Sequence, residues 1–394
     1  MRSDGAAKTG QPLAARPATN PGIRRAIRRL IRTAMTGGIA LTAAGGLAVV
    51  ASPAQAASGP GAAGAVYTMT DSAGGNAIEA YARAGDGSLA QAGTYPTGGN
   101  GGALGSGHSI VVSKDGSVVV NVNAGSNSIS AFAATARGLR LIGTAGSGGT
   151  DPNSVTIAGD HLVYVLNAGS GAIAGFWLGG HGLRQIPGSV RPLGAGAQVP
   201  RQIQFSPDAR VLVVDEGGSA TIDSFTVGLD GKAGPATTTQ SVGGGPFGFD
   251  FDRAGHLLVS DAALTTGQSG ATSYDVARDG RVTANGPAVP ISQAAACWLA
   301  AAGGFAYTAN AGSGSIGRYA VARGGALTAL GSTLVENNPA SHPLDEAVSS
   351  GQNYLYVLAD GLSRVVGYRV GRDGSLTQVT AVPAAAGSGG IAAS

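Results

Sequence analysis

Nearly the same words recur along the chain. YVLNAGSGAI at 164–173 returns as YTANAGSGSI at 307–316 and as VNVNAGSNSI at 120–129. Aligned on the residue that closes the apolar run, the copies fall at Thr70, Asn123, Asn167, Asp215, Ser260, Asn310 and Ala359. The intervals are 53, 44, 48, 45, 50 and 49 residues. A unit that recurs every 48 residues or so cannot bury its apolar face alone and must stack against its neighbours. Within each unit the apolar residues come in short runs separated by turn residues, which is the pattern of strands joined by hairpins. Four runs fit in each unit. Asp-Gly turns such as VARDGRV and VGRDGSL join the third run to the fourth, because glycine tolerates positive φ and aspartate bonds its own turn.

Seven units of four strands predict an all-β fold, a seven-bladed β-propeller spanning 66–394. The first unit lacks its opening run, whereas the tail GSGGIAAS (387–394) reads like the start of a unit. The C-terminal strand is therefore expected to complete the first blade and close the ring, leaving no open inner edge. The 68 glycines do not signal disorder, since 43% of the residues are hydrophobic.

The first 56 residues differ in kind. Arg2, Lys8, Arg16, Arg24, Arg25, Arg28, Arg29 and Arg32 precede an apolar stretch at 33–51, and Ala54-Gln55-Ala56 is a small-x-small site. This pattern predicts an export signal over 1–56, cut after Ala56, then a linker over 57–65 and a secreted, extracytoplasmic product. The whole chain carries 25 basic and 22 acidic residues. The leader holds eight of the basic residues and one acid, so the remainder has a net charge of −4. No basic cluster follows residue 57, which argues against a nucleic-acid partner. No stable membrane insertion is expected once the leader is removed. Cys297 is the single cysteine, so no intrachain disulfide forms. Metal-ligand spacings are absent, and neither a metal nor a cofactor is expected.

Equivalent positions in a ring of repeats converge on the central channel. Taking PRQIQFSPD (200–208) as reference, the counterparts of Arg201 are His108, Asn153, Phe247, Cys297 and Leu344. Counting outward from the turn at Asp208 sets Arg201 against Glu216, where an ion pair is expected. The same count sets His108 near Asn123, Asn153 near Asn167 and Cys297 near Asn310. His161, His181 and His256 fall in hairpin turns. His342 and Asp345 fall at an ordinary start of a unit.

The segment PRQIQFSPDARVLVVDE (200–216), with the recurring YV-N and DGSL words, resembles the seven-bladed lactonase propellers. These include bacterial 6-phosphogluconolactonase and the fungal carboxymuconate lactonizing enzymes. The resemblance implies hydrolysis of a sugar-type or carboxylated lactone, without metal, at the channel mouth. It maps the family's Arg and Glu onto Arg201 and Glu216. His108 joins them as a proton carrier, with Asn153, Asn123, Phe247 and Cys297 against the substrate. Two family features are missing: Asn153 stands where a histidine is usual, and Asn310-Ala311 where an Asn-Arg pair is. The alternative is a non-catalytic propeller that binds a glycan, a small anion or a protein through the same face.

Overall fold

The computed structural model describes residues 62–102, 105–263 and 268–394. The expected export signal over 1–56 lies outside them. Seven antiparallel sheets are present, one per repeat, and their inner strands follow one another around a ring. Among the described residues the only helical segments are three single 3₁₀ turns. No helix among them is long and apolar enough to cross a membrane.

Ring closure follows the sequence reading. Ile391–Ala393 is the inner strand of blade one, pairing antiparallel with Ala62–Met69 through Thr68↔Ile391 and Val66↔Ala393. That second strand starts at Ala62, inside the segment read as linker. Asp345 of blade seven accepts the Ile391 N–H (3.2 Å), tying the last blade to the first.

The core lies in the seams between blades. Tyr164 and Leu166 of blade three pack with Ile203, Phe205, Leu212 and Val214 of blade four. The opposite face of blade four, Val211 and Val213, packs with Phe249 and Phe251 of blade five. Strict alternation along each second strand makes this possible, because successive side chains enter opposite seams. It also explains the tyrosine of the YV-N word. Tyr164, Tyr307 and Tyr356 donate their hydroxyls to the carbonyls of Gly231 (2.8 Å), Gly374 (3.1 Å) and Gly87 (2.9 Å), each in the Asp-Gly turn of the next blade. Each latch contributes about 1 kcal/mol beyond the ring's burial. At Gly87 (φ +88) any Cβ would sit 2.2 Å from the Tyr354 ring, so glycine is required there twice over.

Inner strands open on a bulge. The pairs Pro152↔Asn167, Pro200↔Glu216, Pro246↔Asp261, Ala296↔Asn310 and Pro343↔Ala359 are each followed by one inserted residue. The inserted residues are Asn153, Arg201, Phe247, Cys297 and Leu344. By the same register, counted back from Ile110↔Asn121, His108 is their counterpart in blade two. Four of these strands open on proline, whose missing N–H suits a strand start. A bulge re-aims its side chain, and here Asn153 and Arg201 come to line one cavity, with Phe247 and Cys297 packed together in an apolar cluster beside them.

Candidate active site at the channel mouth

A cavity of about 320 Å³ opens on the face where the inner strands begin, lined by Gly105, Ser106, Asp151, Asn153, Ala168, Val199, Pro200 and Arg201. Arg201 is its cation. The guanidinium lies over the Phe247 ring at 4.6 Å, and Phe247 meets Trp298 edge-on at 5.2 Å. Such a stack adds roughly 1 kcal/mol while fixing the plane of the guanidinium. One terminal nitrogen donates to the Gly105 carbonyl (3.2 Å), whereas the buried Nε has no partner. Burial lowers the pKa of Arg201, offset by Cys297 and Asp215 nearby.

The expected ion pair with Glu216 is not formed. The bulge puts Pro200, not Arg201, opposite Glu216, and Gln202 opposite Asp215. Glu216 therefore shares its face with Leu212 and Val214 and enters the seam with blade three. It is 1% exposed and accepts Ser219 Oγ (2.8 Å) and Thr221 Oγ1 (3.1 Å) on Oε2; Oε1 has no partner. Burial, with the Asp223 carboxyl beside it, raises its pKa to about 7. The carboxyl on the Arg201 side of the strand is Asp215, which accepts the Gln202 N–H (2.8 Å) and is held well above the usual carboxylate range by burial.

This register also corrects the alignment of the repeats. Glu216 and Asp261, not Asp215 and Ser260, are the counterparts of Asn123, Asn167 and Asn310. These are seam residues. Asn123, expected against substrate, is fully buried and accepts Thr97 Oγ1 (2.8 Å) and Asn76 Nδ2 (3.1 Å) between blades one and two. Asn167 donates to the Ser147 carbonyl (3.0 Å).

The other candidates divide. Asn153 lines the cavity, donates to the Pro200 carbonyl (2.9 Å) and leaves its buried Oδ1 without a partner. Its own carbonyl accepts Ser106 Oγ (2.6 Å). His108 (φ +56) lies beside Arg201's neighbour, with Nδ1 3.4 Å from Gln202 Nε2. Burial lowers its pKa, with Asp250 pulling the other way. Residues 105–108 thus reach over from blade two to blades three and four, and Gly105 and Ser106 form part of the site's wall. Phe247 supports Arg201 from behind. Cys297 is buried, and burial pushes its thiol up to about 12, which removes it as a nucleophile. The repeat count alone did not reveal Asp151 or Val199. Both have positive φ (+52 and +55) two residues before their bulges.

With this geometry established, three comparisons bear on the chain. The family "Lactonase, 7-bladed beta-propeller" matches residues 41–180. The chain resembles the lactonase propellers. Solved structures of the same fold include a candidate 6-phosphogluconolactonase from Bacteroides fragilis (TM-score 0.66, 18% identity, covering 84% of this chain and 98% of that one). A second candidate 6-phosphogluconolactonase, from Bacteroides uniformis, aligns at TM-score 0.64 and 20% identity over 84% and 99%. A periplasmic gluconolactonase from Pseudomonas aeruginosa aligns at 0.65 and 14% over 84% and 98%. None of the curated proteins matches in sequence.

Proposed function

We propose that this chain is an exported lactone hydrolase acting on a sugar-type or carboxylated lactone in the cavity beside Arg201. One observation carries the reading. Arg201 is a half-buried guanidinium, held in plane by Phe247, on the wall of a polar cavity, and no described carboxylate lies within ion-pair distance of it. Such a group is preorganised for a substrate carboxylate or for the oxyanion that develops at a lactone carbonyl.

Asp151 replaces Glu216 in this scheme, because it is the carboxylate in the cavity lining. It takes the proton of a water whose oxygen attacks the carbonyl carbon. The oxyanion is stabilised by Arg201. Collapse breaks the bond to the ring oxygen, which leaves with the proton and gives the open hydroxy acid. Asn153 Oδ1 and the Ser106 hydroxyl orient the sugar hydroxyls. Burial holds His108 as the neutral imidazole, facing Gln202 at the edge of the site. The basic leader and the Ala54-Gln55-Ala56 site support export.

The test is hydrolysis of glucono-δ-lactone and of a carboxylated lactone, above the spontaneous rate, by wild type, Arg201→Lys and Asp151→Asn. Each variant is expected to lose about a hundredfold in kcat/KM. Wild-type rates in both would remove the enzymatic reading. The second reading, a non-catalytic binder of a glycan, small anion or protein at this face, is favoured by Glu216 lying in the seam. It predicts saturable ligand binding without turnover.

A further inference from the structure

The opposite face carries a second cavity of about 430 Å³ at the junction of blades seven and one, where inner strands end and second strands begin. Arg83, Ser349, Gly351, Asn353, Tyr354 and Arg369 are among its lining. Its volume is that of a small-molecule site. Arg83 is only 6% exposed and lies over the Tyr354 ring at 5.9 Å. Its Nε donates to the Ser394 main-chain oxygen (3.1 Å) and one terminal nitrogen to the Ala63 carbonyl (2.7 Å). The other terminal nitrogen has no bond among the described residues. Arg369 stands across from Tyr354 in the strand register, exposed and without any partner among the described residues.

Comparison between repeats shows what is missing there. In blades two and four the turn after the inner strand begins with Ser113 or Ser206, whose hydroxyl accepts the N–H of Val118 or Val211. Two residues on stands an aspartate, Asp115 or Asp208. Ser349, accepting the Tyr354 N–H (3.2 Å), is the same serine in blade seven. The position of the aspartate is therefore Gly351. In blade four Asp208 neutralises two arginines, Arg278 of the next blade at 3.3 Å and Arg210 at 3.9 Å. At the junction of blades seven and one the corresponding carboxylate is absent and a cavity stands in its place; among the described residues Arg369 has no acidic side chain within ion-pair distance, and Arg83 is met only by the Ser394 and Ala63 main-chain oxygens.

We propose that this cavity binds a small oxyanion, a phosphate or carboxylate group carried by a soluble ligand, between Arg83 and Arg369. The missing aspartate of the repeat is supplied from outside. Arg369 closes on the ligand from the rim, Arg83 gives its unbonded nitrogen from within, and Tyr354 offers a ring face to the body of the ligand. The site is separate from the cavity of Arg201 and stands whatever the chemistry there.

Calorimetric titration with inorganic phosphate and with citrate, at low chloride, tests it. Two variants isolate the site. Arg369→Ala removes the exposed charge. Gly351→Asp restores the carboxylate that other blades carry, and its Cβ would meet only Asn353 Nδ2, at 3.2 Å. Wild type should bind at least one probe saturably, and each variant should raise that Kd about tenfold or more. Which probe binds tells phosphate from carboxylate ligands. The absence of saturable binding to either probe, or wild-type Kd values in either variant, would overturn the proposal. Lactone turnover by the same proteins should stay at the wild-type level, so failure at one cavity does not imitate failure at the other.

Discussion

Replacing Glu216 with glutamine separates its position in the sequence from its position in space. The carboxyl is buried in the seam between blades three and four, and its pKa is raised from an ordinary 4.5 to about 7. A raised folded-state pKa means that the folded chain keeps a proton that the unfolded chain releases. Stability contributed by that proton is complete below about pH 4.5 and is lost progressively as pH rises through 7. The full difference is worth about 3 kcal/mol. Local relaxation and water penetration reduce it to roughly 1–2 kcal/mol. Glutamine keeps an acceptor for Ser219 and Thr221, and its amide can donate to Asp223. Urea unfolding at pH 4 and pH 8 should therefore show wild type losing about 1–2 kcal/mol more than Glu216→Gln across that range. Lactone turnover should be the same for both proteins. A tenfold loss of turnover in Glu216→Gln, with stability unchanged, would show that the carboxylate acts on substrate and that the seam assignment is wrong.

Two further perturbations probe the ring and its mouth. Ile391→Ala empties a seam formed with Val66, Tyr81, Tyr356 and Leu358, and it should cost about 2–4 kcal/mol in urea unfolding; a loss below 1 kcal/mol would mean that the last strand does not hold the ring shut. Val199→Gly relieves a β-branched residue at φ +55 and should stabilise the chain by about 1 kcal/mol; destabilisation of that size would show that the Val199 side chain contributes packing which outweighs the strain.

The repeat words were enough to read the ring, because blade spacing, Asp-Gly turns and alternation each follow from local chemistry. Completion of blade one by 391–393 was legible for the same reason: a unit without its first strand and a tail with a spare one complement each other. The site was legible only to one residue's accuracy. A bulge inserts a single residue, and a single step in a strand exchanges the two faces. Counting outward from Asp208 passes over the bulge at Arg201 and so predicts a pair that the fold splits. The same step moved Asn123 from the substrate to a seam. The proline at 152, 200, 246 and 343 was the available signal, since each immediately precedes an inserted residue. Asp151 could not be found by repetition, because its counterparts Val199, Ala295 and His342 share its backbone and not its chemistry.

The proposed anchor for a ligand at the channel mouth is the guanidinium of Arg201, fixed over Phe247 and without a carboxylate in ion-pair distance among the described residues. A crystal soaked with gluconate, the open acid of gluconolactone, tests this most directly. The account predicts density between Arg201, Asn153 and Asp151, with the carboxylate within hydrogen-bonding distance of the guanidinium. An empty cavity at saturating gluconate, or gluconate bound elsewhere while Arg201 remains on the Gly105 carbonyl, would contradict it.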